Sequence, residues 1–308
     1  MAQKIGWIGL GRMGESMVKR LTQAGYGVDV WNRTRSKADP LAAYGCTVVD
    51  NIIDLSGCET VITMVSTTKD LKQVLFGEGG LVTSAQKPKV VVDSSSISQE
   101  GSAEVRRELE ALGVAYLCAP VSGNAKVAKA GKLLMVSSGP KDLYDTVEPY
   151  FQAIARKCMW IGEGELARVW KIAHNTMFGV VIQNLCEITV LAEKAGIPRH
   201  LFLESINDSV LGSMYTRYKT PVMTNLTFDQ VTFTPELLLK DMDLGMAAAK
   251  AHGVAMPAAA ATRESIARTV GRGYGDIDFS VLLVETARDA GLELKSENKV
   301  ISDGLEAK

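Results

Sequence analysis

The sequence predicts an α/β domain joined by a long helix to an all-helical second domain. Three observations predict it. Lys4 to Thr34 reads as strand, glycine turn, helix and strand. Short apolar runs then alternate with helical segments up to residue 164. From Glu165 the apolar period turns helical and stays so to the end of the chain. The expected divisions are 1–164 for the first domain, 165–195 for the bridging helix and 196–308 for the helical domain.

The first stretch carries the most chemistry. An apolar run, Ile5 to Leu10, has strand length. Gly9, Gly11 and Gly14 then fall in a G-x-G-x-x-G pattern. Met13, Met17, Leu21 and Ala24 are spaced for one buried helix face, Gly25 ends that helix, and Gly27 to Trp31 is the second strand. In this order the pattern is a Rossmann dinucleotide fingerprint. Gly9 permits the tight turn, Gly11 lets the backbone approach a pyrophosphate at the helix start, and Gly14 lets helix and strand pack closely. Arg12 and Met13, at the start of that helix, join the three glycines as cofactor residues.

The end of the second strand selects the cofactor. An NAD site usually places Asp or Glu there, to hold the ribose 2′-hydroxyl. This chain has Asn32, Arg33 and Thr34, with Lys37 one turn further. A guanidinium pairs with a 2′-phosphate, and no carboxylate repels it. NADP is therefore preferred, with NAD left open. The competing reading makes Arg33 and Lys37 ordinary solvated charges.

Composition bounds the rest. Lys and Arg total 34, Asp and Glu 35, for a net charge of −1, so neither a nucleic-acid nor a membrane-surface partner is indicated. The five cysteines (46, 58, 118, 158 and 186) are odd in number and lack C-x-x-C spacing. With three scattered histidines they suggest no metal site and no disulfide framework. A reducing cytosol is expected. The early first strand leaves no room for a signal peptide, and no apolar run reaches about 18 residues, the length of a membrane span.

Further along, Ser36 to Tyr44 reads as a short helix closed by Gly45, and Thr47 to Val49 as a strand. Thr60 to Val65 is a strand, Asp70 to Phe76 a helix, and Lys89 to Asp93 a strand. Ligands in such sheets lie beyond the carboxyl ends of the strands. Met64, Val65, Ser94 and Ser95 are therefore placed by the ribose and nicotinamide. Ser98 is an N-cap for the helix Gln99 to Leu112. Ala115 to Ala119 is a strand running into Pro120-Val121-Ser122-Gly123-Asn124, a turn whose open N–H groups suit a carboxylate. Leu133 to Ser137, Lys141 to Ile154 and Lys157 to Ile161 follow as strand, helix and last strand.

On the long helix, Lys171, His174 and Asn175 share one face among Val169, Trp170, Ile172, Met177 and Phe178. Spacing alone leaves Lys171 either snorkelling to solvent or held for proton transfer. The remaining helices are His200 to Ser209, Pro235 to His252, Pro257 to Arg272 and Phe279 to Ala290. In the second of these, Leu237, Leu238, Met242, Gly245, Met246 and Ala249 form a packing stripe, with Lys240 and Asp241 beside it.

Six blocks together resemble the β-hydroxyacid dehydrogenase family, the group of 3-hydroxyisobutyrate dehydrogenase. They are IGLGRMG at 8–14, VVVDSSSIS at 90–98, APVSGNAKVAKAG at 119–131, KIAHN at 171–175, LKDMDLGMAAAKAHGVAMP at 239–257 and YGDIDFS at 274–280. The resemblance spans nearly the whole chain. It implies a Rossmann domain joined by a long helix to a helical domain, and a homodimer or homotetramer. It implies hydride transfer between the nicotinamide and a small 3-hydroxy acid or semialdehyde carboxylate. Lys171 matches the family's catalytic lysine, Ser122 and Gly123 its substrate-carboxylate loop, and Asn175 its substrate-orienting asparagine. Lys240 matches a helical-domain residue that closes over the cofactor.

Four departures stand out. Cys118 replaces the usual acid before A-P-V-S-G, and Asn124 the second glycine of S-G-G. His174 replaces the first asparagine after the lysine, and the preceding glycines fall differently in GEGELARVWK. Asn124 and His174 therefore join the substrate-contacting set, and the substrate is expected to be larger or more polar than a plain short 3-hydroxy acid. Two other classes stay open: an imine reductase, suggested by VWNRT followed by Lys37, and a non-catalytic NADPH-binding scaffold.

Overall fold

A computed structural model describes residues 4–305; the outermost three residues of each expected terminal domain lie outside that range. The chain forms two compact units, 1–171 and 172–308, and the division falls inside the long helix.

In the first unit, strands β1 (Ile5–Ile8), β2 (Val28–Trp31), β3 (Thr47–Val48), β4 (Thr60–Thr63), β5 (Val90–Asp93) and β6 (Ala115–Cys118) form one sheet. Its order is 3-2-1-4-5-6 and every pairing is parallel. This is the Rossmann arrangement, with its ligand crevice where the order reverses beside β1. All four residues of β1, β4 and β5 are buried, because helices cover both faces of a parallel sheet. Those helices are α1 (Arg12–Gln23), α2 (Thr68–Phe76) and α3 (Gln99–Ala111). Ile8, Val61, Leu71, Leu75, Val91, Val105 and Leu109 form the centre of the core. Ser98 caps α3, accepting the Gly101 N–H at 3.1 Å.

Two readings are corrected here. The buried face of α1 is Gly14, Met17, Val18 and Leu21, whereas Ala24 is exposed beyond the last turn. The segment 35–44 is two 3₁₀ turns, Arg35–Lys37 and Asp39–Tyr44, because Pro40 falls where a continuous helix would need its N–H.

The late strands leave the main sheet. β7 (Val121–Ser122) pairs antiparallel with β8 (Leu133–Ser137), and β8 pairs parallel with β9 (Ala155–Trp160). This three-stranded sheet meets β6 through a bridge between Cys118 and Ser138. A short helix, α4 (Ala125–Lys129), fills the β7–β8 connection, and α5 (Lys141–Ile154) links β8 to β9.

The long helix α6 runs Leu166–Lys194. It is long and apolar enough to cross a membrane by length and composition, although no uninterrupted apolar run predicts this. The relevant window is 56% buried, as a core helix is.

The second unit adds α7 (Arg199–Asp208), α8 (Met214–Asn225), α9 (Pro235–Ala251), α10 (Pro257–Thr269) and α11 (Leu282–Asp289) to the later part of α6. Ile182, Cys186, Met223, Leu238, Met242, Ile266 and Phe279 lie in its core. Small residues set the approach of α6 to α9. A Cβ on Gly245 would lie 2.0 Å from Thr176 Oγ1, and one on Gly179 would lie 2.4 Å from Met242 Sδ. The α9 stripe is Leu238, Asp241, Met242, Gly245 and Ala249, while Leu237 is exposed. The expected apolar setting also loses Met177, which is 70% exposed.

Candidate active site

The glycine loop has the geometry its sequence demands. Gly9 has φ +100°, and a Cβ there would lie 2.2 Å from the Met64 carbonyl oxygen. A Cβ on Gly14 would lie 2.0 Å from the Gly9 carbonyl oxygen, so only glycine lets α1 start this close to β1. Gly11 differs: a Cβ there would meet nothing within 4 Å. It is the N-cap of α1, and no side chain caps the helix. Open space at an uncapped helix N-terminus fits a pyrophosphate. Arg12 beside it is exposed and Met13 half-buried.

Asn32 is tied into this loop. Its Oδ1 accepts the Leu10 N–H at 2.8 Å, and its Nδ2 donates to the Thr34 carbonyl at 2.9 Å. The amide thus clamps the glycine loop to the end of β2. Arg33 is 85% exposed, with Nη1 3.5 Å from Asp70 Oδ1. Lys37 is exposed as well, and Arg35 is paired with Asp39 and Asp50.

Behind Met64 and Val65 lies a buried polar network that the sequence reading missed. Asp93, at the carboxyl end of β5, and Arg168, in the first turn of α6, are both fully buried and 2.7 Å apart. Asp93 Oδ1 also accepts from Thr63 Oγ1 and Ser95 Oγ, each at 2.7 Å. Ser95 Oγ in turn accepts the Val65 N–H at 2.9 Å. Arg168 also donates to the Ser95 carbonyl. Ser95 is thus engaged in fixing the end of β4, whereas Ser94 Oγ is buried without a hydrogen-bond partner among the described residues. Burial works against the charge on Arg168, but the neighbouring Cys118, Asp93, Tyr116 and Glu165 together outweigh it and raise its pKa.

Cys118 sits at the edge of this network, fully buried, its thiol pKa raised by that burial. Its Sγ lies 3.1 Å from Glu165 Oε2 and 3.6 Å from Arg106 Nη2. Glu165 Oε1 accepts from Arg106 Nε at 2.7 Å. Burial alone would raise the Glu165 carboxyl; hydrogen bonds from Ser102 and Arg106 outweigh it and hold its pKa below the ordinary value. The buried Cys118 thus packs directly against a carboxylate, that of Glu165.

One turn after Arg168, Lys171 is half-buried, and its Nζ donates to the Val121 carbonyl at 2.7 Å. The ammonium is thus held against β7. Ser122 and Gly123 follow directly. Gly123 has φ +127°, and a Cβ there would lie 2.6 Å from Leu133 Cδ2 and 2.7 Å from Val127 Cγ1. Asn124 caps α4, its Oδ1 accepting the Val127 N–H at 3.0 Å, while Nδ2 is buried without a partner among the described residues. Its acceptor therefore serves the helix and not a ligand.

In the second unit, Asn175 is buried and donates from Nδ2 to Asp241 Oδ2 at 2.6 Å. A carboxylate only accepts, which fixes the amide orientation. Asn175 Oδ1 then faces His174 Nδ1 at 2.9 Å, so His174 carries its proton on Nδ1. Lys240 Nζ lies 3.1 Å from Asp241 Oδ1. The sequence reading placed Asp241 beside the α9 stripe but gave it no part in the site.

Comparison with known proteins identifies the family. Residues 4–162 match the profile of the NAD binding domain of 6-phosphogluconate dehydrogenase. Residues 164–286 match the NAD-binding profile of NADP-dependent 3-hydroxyisobutyrate dehydrogenase. The chain is 29% identical over 281 residues to glyoxylate/succinic semialdehyde reductase 1 of Arabidopsis thaliana, covering 91% of this chain and 97% of that one. It is similar to the crystal structure of 3-hydroxyisobutyrate dehydrogenase from Salmonella typhimurium (TM-score 0.82, 25% identity, 92% and 99% coverage). It is also similar to Mycobacterium tuberculosis 3-hydroxyisobutyrate dehydrogenase solved with L-serine (TM-score 0.80, 27% identity, 92% and 99% coverage). The chain belongs to the β-hydroxyacid dehydrogenase family and is an NAD(P)-dependent oxidoreductase.

Proposed function

We propose that the protein is an NADPH-preferring reductase of small semialdehyde carboxylates, such as succinic semialdehyde or glyoxylate, with Lys171 as general acid. The observation that carries this reading is the Lys171–Val121 hydrogen bond of 2.7 Å. It holds an ammonium at the strand that leads into the Ser122–Gly123 turn, so a proton donor and a carboxylate-binding turn share one place.

In this reading the Ser122–Gly123 turn holds the substrate carboxylate. Bound nicotinamide supplies the hydride. Lys171 donates a proton to the oxygen that gains charge as the carbonyl is reduced, and its neutral amine takes one back in the reverse direction. The Asn175–Asp241 pair orients the substrate, with His174 holding the Asn175 amide. Lys240 closes on the cofactor. Arg33, aided by Lys37, pairs with the 2′-phosphate, and Thr34 supports the same turn. Gly9, Gly11, Arg12, Met13 and Gly14 cradle the pyrophosphate. The name of the Arabidopsis relative supports the substrate class. The reading also includes a homo-oligomer, as the family resemblance implies.

The test is kcat/KM for succinic semialdehyde reduction with NADPH and with NADH, in wild type and Arg33→Ala. Wild type should favour NADPH by roughly tenfold or more. Arg33→Ala should lose most of that preference while the NADH value stays within about twofold, since only the 2′-phosphate partner is removed. Equal losses with both cofactors would contradict the assignment of Arg33.

A further inference from the structure

We propose that Asp70 limits the NADP preference by competing with the 2′-phosphate for Arg33. The inference rests on the reading of Arg33 as the phosphate-binding residue. It starts from a local sequence pattern, Thr67-x-x-Asp70, at the start of α2. Thr67 is the N-cap, its Oγ1 accepting the Asp70 N–H at 3.1 Å. The same hydroxyl donates to Asp70 Oδ2 at 2.7 Å. One carboxylate oxygen is thereby fixed in the first turn of a helix, where the helix dipole favours negative charge. The other, Oδ1, faces Arg33 Nη1 at 3.5 Å.

The two partners differ in freedom. Asp70 is anchored by its cap and 32% exposed, whereas Arg33 is 85% exposed and held by little else. A bound 2′-phosphate must draw Arg33 from a carboxylate that does not move. Of the other cations nearby, Arg35 is engaged by Asp39 at 2.8 Å and by Asp50, which leaves the exposed Lys37 to aid Arg33. Of the two arginines beyond β2, each already faces a carboxylate. The subsite therefore meets a dianionic phosphate with much of its positive charge matched beforehand, while a 2′-hydroxyl encounters no such competition.

The experiment is direct titration of NADPH and NADH, followed by nicotinamide fluorescence, in wild type, Asp70→Asn, Arg33→Ala and the double variant. Asparagine keeps the size of the side chain and its hydrogen bond with Thr67 while removing the charge. Asp70→Asn should tighten NADPH by about 1.4- to fivefold, the range an exposed pair supplies, and leave NADH unchanged. The gain should disappear in the Arg33→Ala background. An unchanged or weaker NADPH affinity in Asp70→Asn would overturn the proposal, as would a gain that persists without Arg33. If Arg33→Ala itself fails to separate NADPH from NADH, the 2′-phosphate reading has failed, and the two failures are told apart.

Discussion

Replacing Lys171 with alanine should lower kcat for semialdehyde reduction by about a thousandfold, within the range for removal of a positioned general acid. The NADPH Kd should move by less than about twofold, because the lysine acts on the carbonyl oxygen and not on the cofactor. The side chain is half-buried and donates to a backbone carbonyl, that of Val121, so the fold should survive its loss. Stopped-flow single-turnover NADPH oxidation with saturating succinic semialdehyde separates the chemical step from binding. A kcat retained within about tenfold would show that another group delivers the proton, with His174 the next to substitute.

Asp93→Ala should destabilise the first unit by about 3–5 kcal/mol, because it leaves the Arg168 guanidinium charged, buried and without its carboxylate. The pair is fully buried at 2.7 Å, and Asp93 also accepts from Thr63 and Ser95. Arg168→Leu should cost a similar amount by orphaning Asp93. The double variant Asp93→Ala with Arg168→Leu should recover part of the loss, since neither charge is then stranded. Urea unfolding followed by tryptophan fluorescence measures all three. An Asp93→Ala midpoint equal to wild type would mean that the pair does not hold β5 and the start of α6 together.

Local order carried the first unit far at the sequence level. The strand–glycine–helix unit, the Ser98 cap and the limits of α5 and β8 follow from periodicity and punctuation, which act within a few residues. The separate β7–β8–β9 sheet does not, because β7 has two residues and its pairing is antiparallel across a helical insertion. Helix α8 also escaped. It buries the polar residues Thr216, Lys219, Thr220 and Thr224, and Lys219 pairs with the distant Asp278 at 2.7 Å. No apolar stripe marks a helix packed in that way.

The candidate site divides along the same line. The glycines and Arg33 could be proposed from backbone geometry and charge type alone, whereas Lys171 needed the family resemblance. Asp93 and Arg168 are 75 positions apart, and nothing in either segment signals the other. Asn32 and Ser95 were read as ligand contacts; the structure gives both hydrogen bonds that hold the loops around the cofactor crevice. Cys118 was legible only as a departure; its contact with Glu165, 47 positions on, has no local signal.

The most direct test of the central claim is the initial rate of NADPH oxidation at about 340 nm, the nicotinamide absorbance band used to follow hydride transfer. The substrates are succinic semialdehyde, glyoxylate, butanal and one cyclic imine. A semialdehyde carboxylate should be reduced with kcat/KM at least about a hundredfold above butanal, because a site built to bind a carboxylate leaves its donors unpaired with the uncharged analogue. Reduction of the cyclic imine faster than either acid, or NADPH binding with no carbonyl turned over, would contradict it.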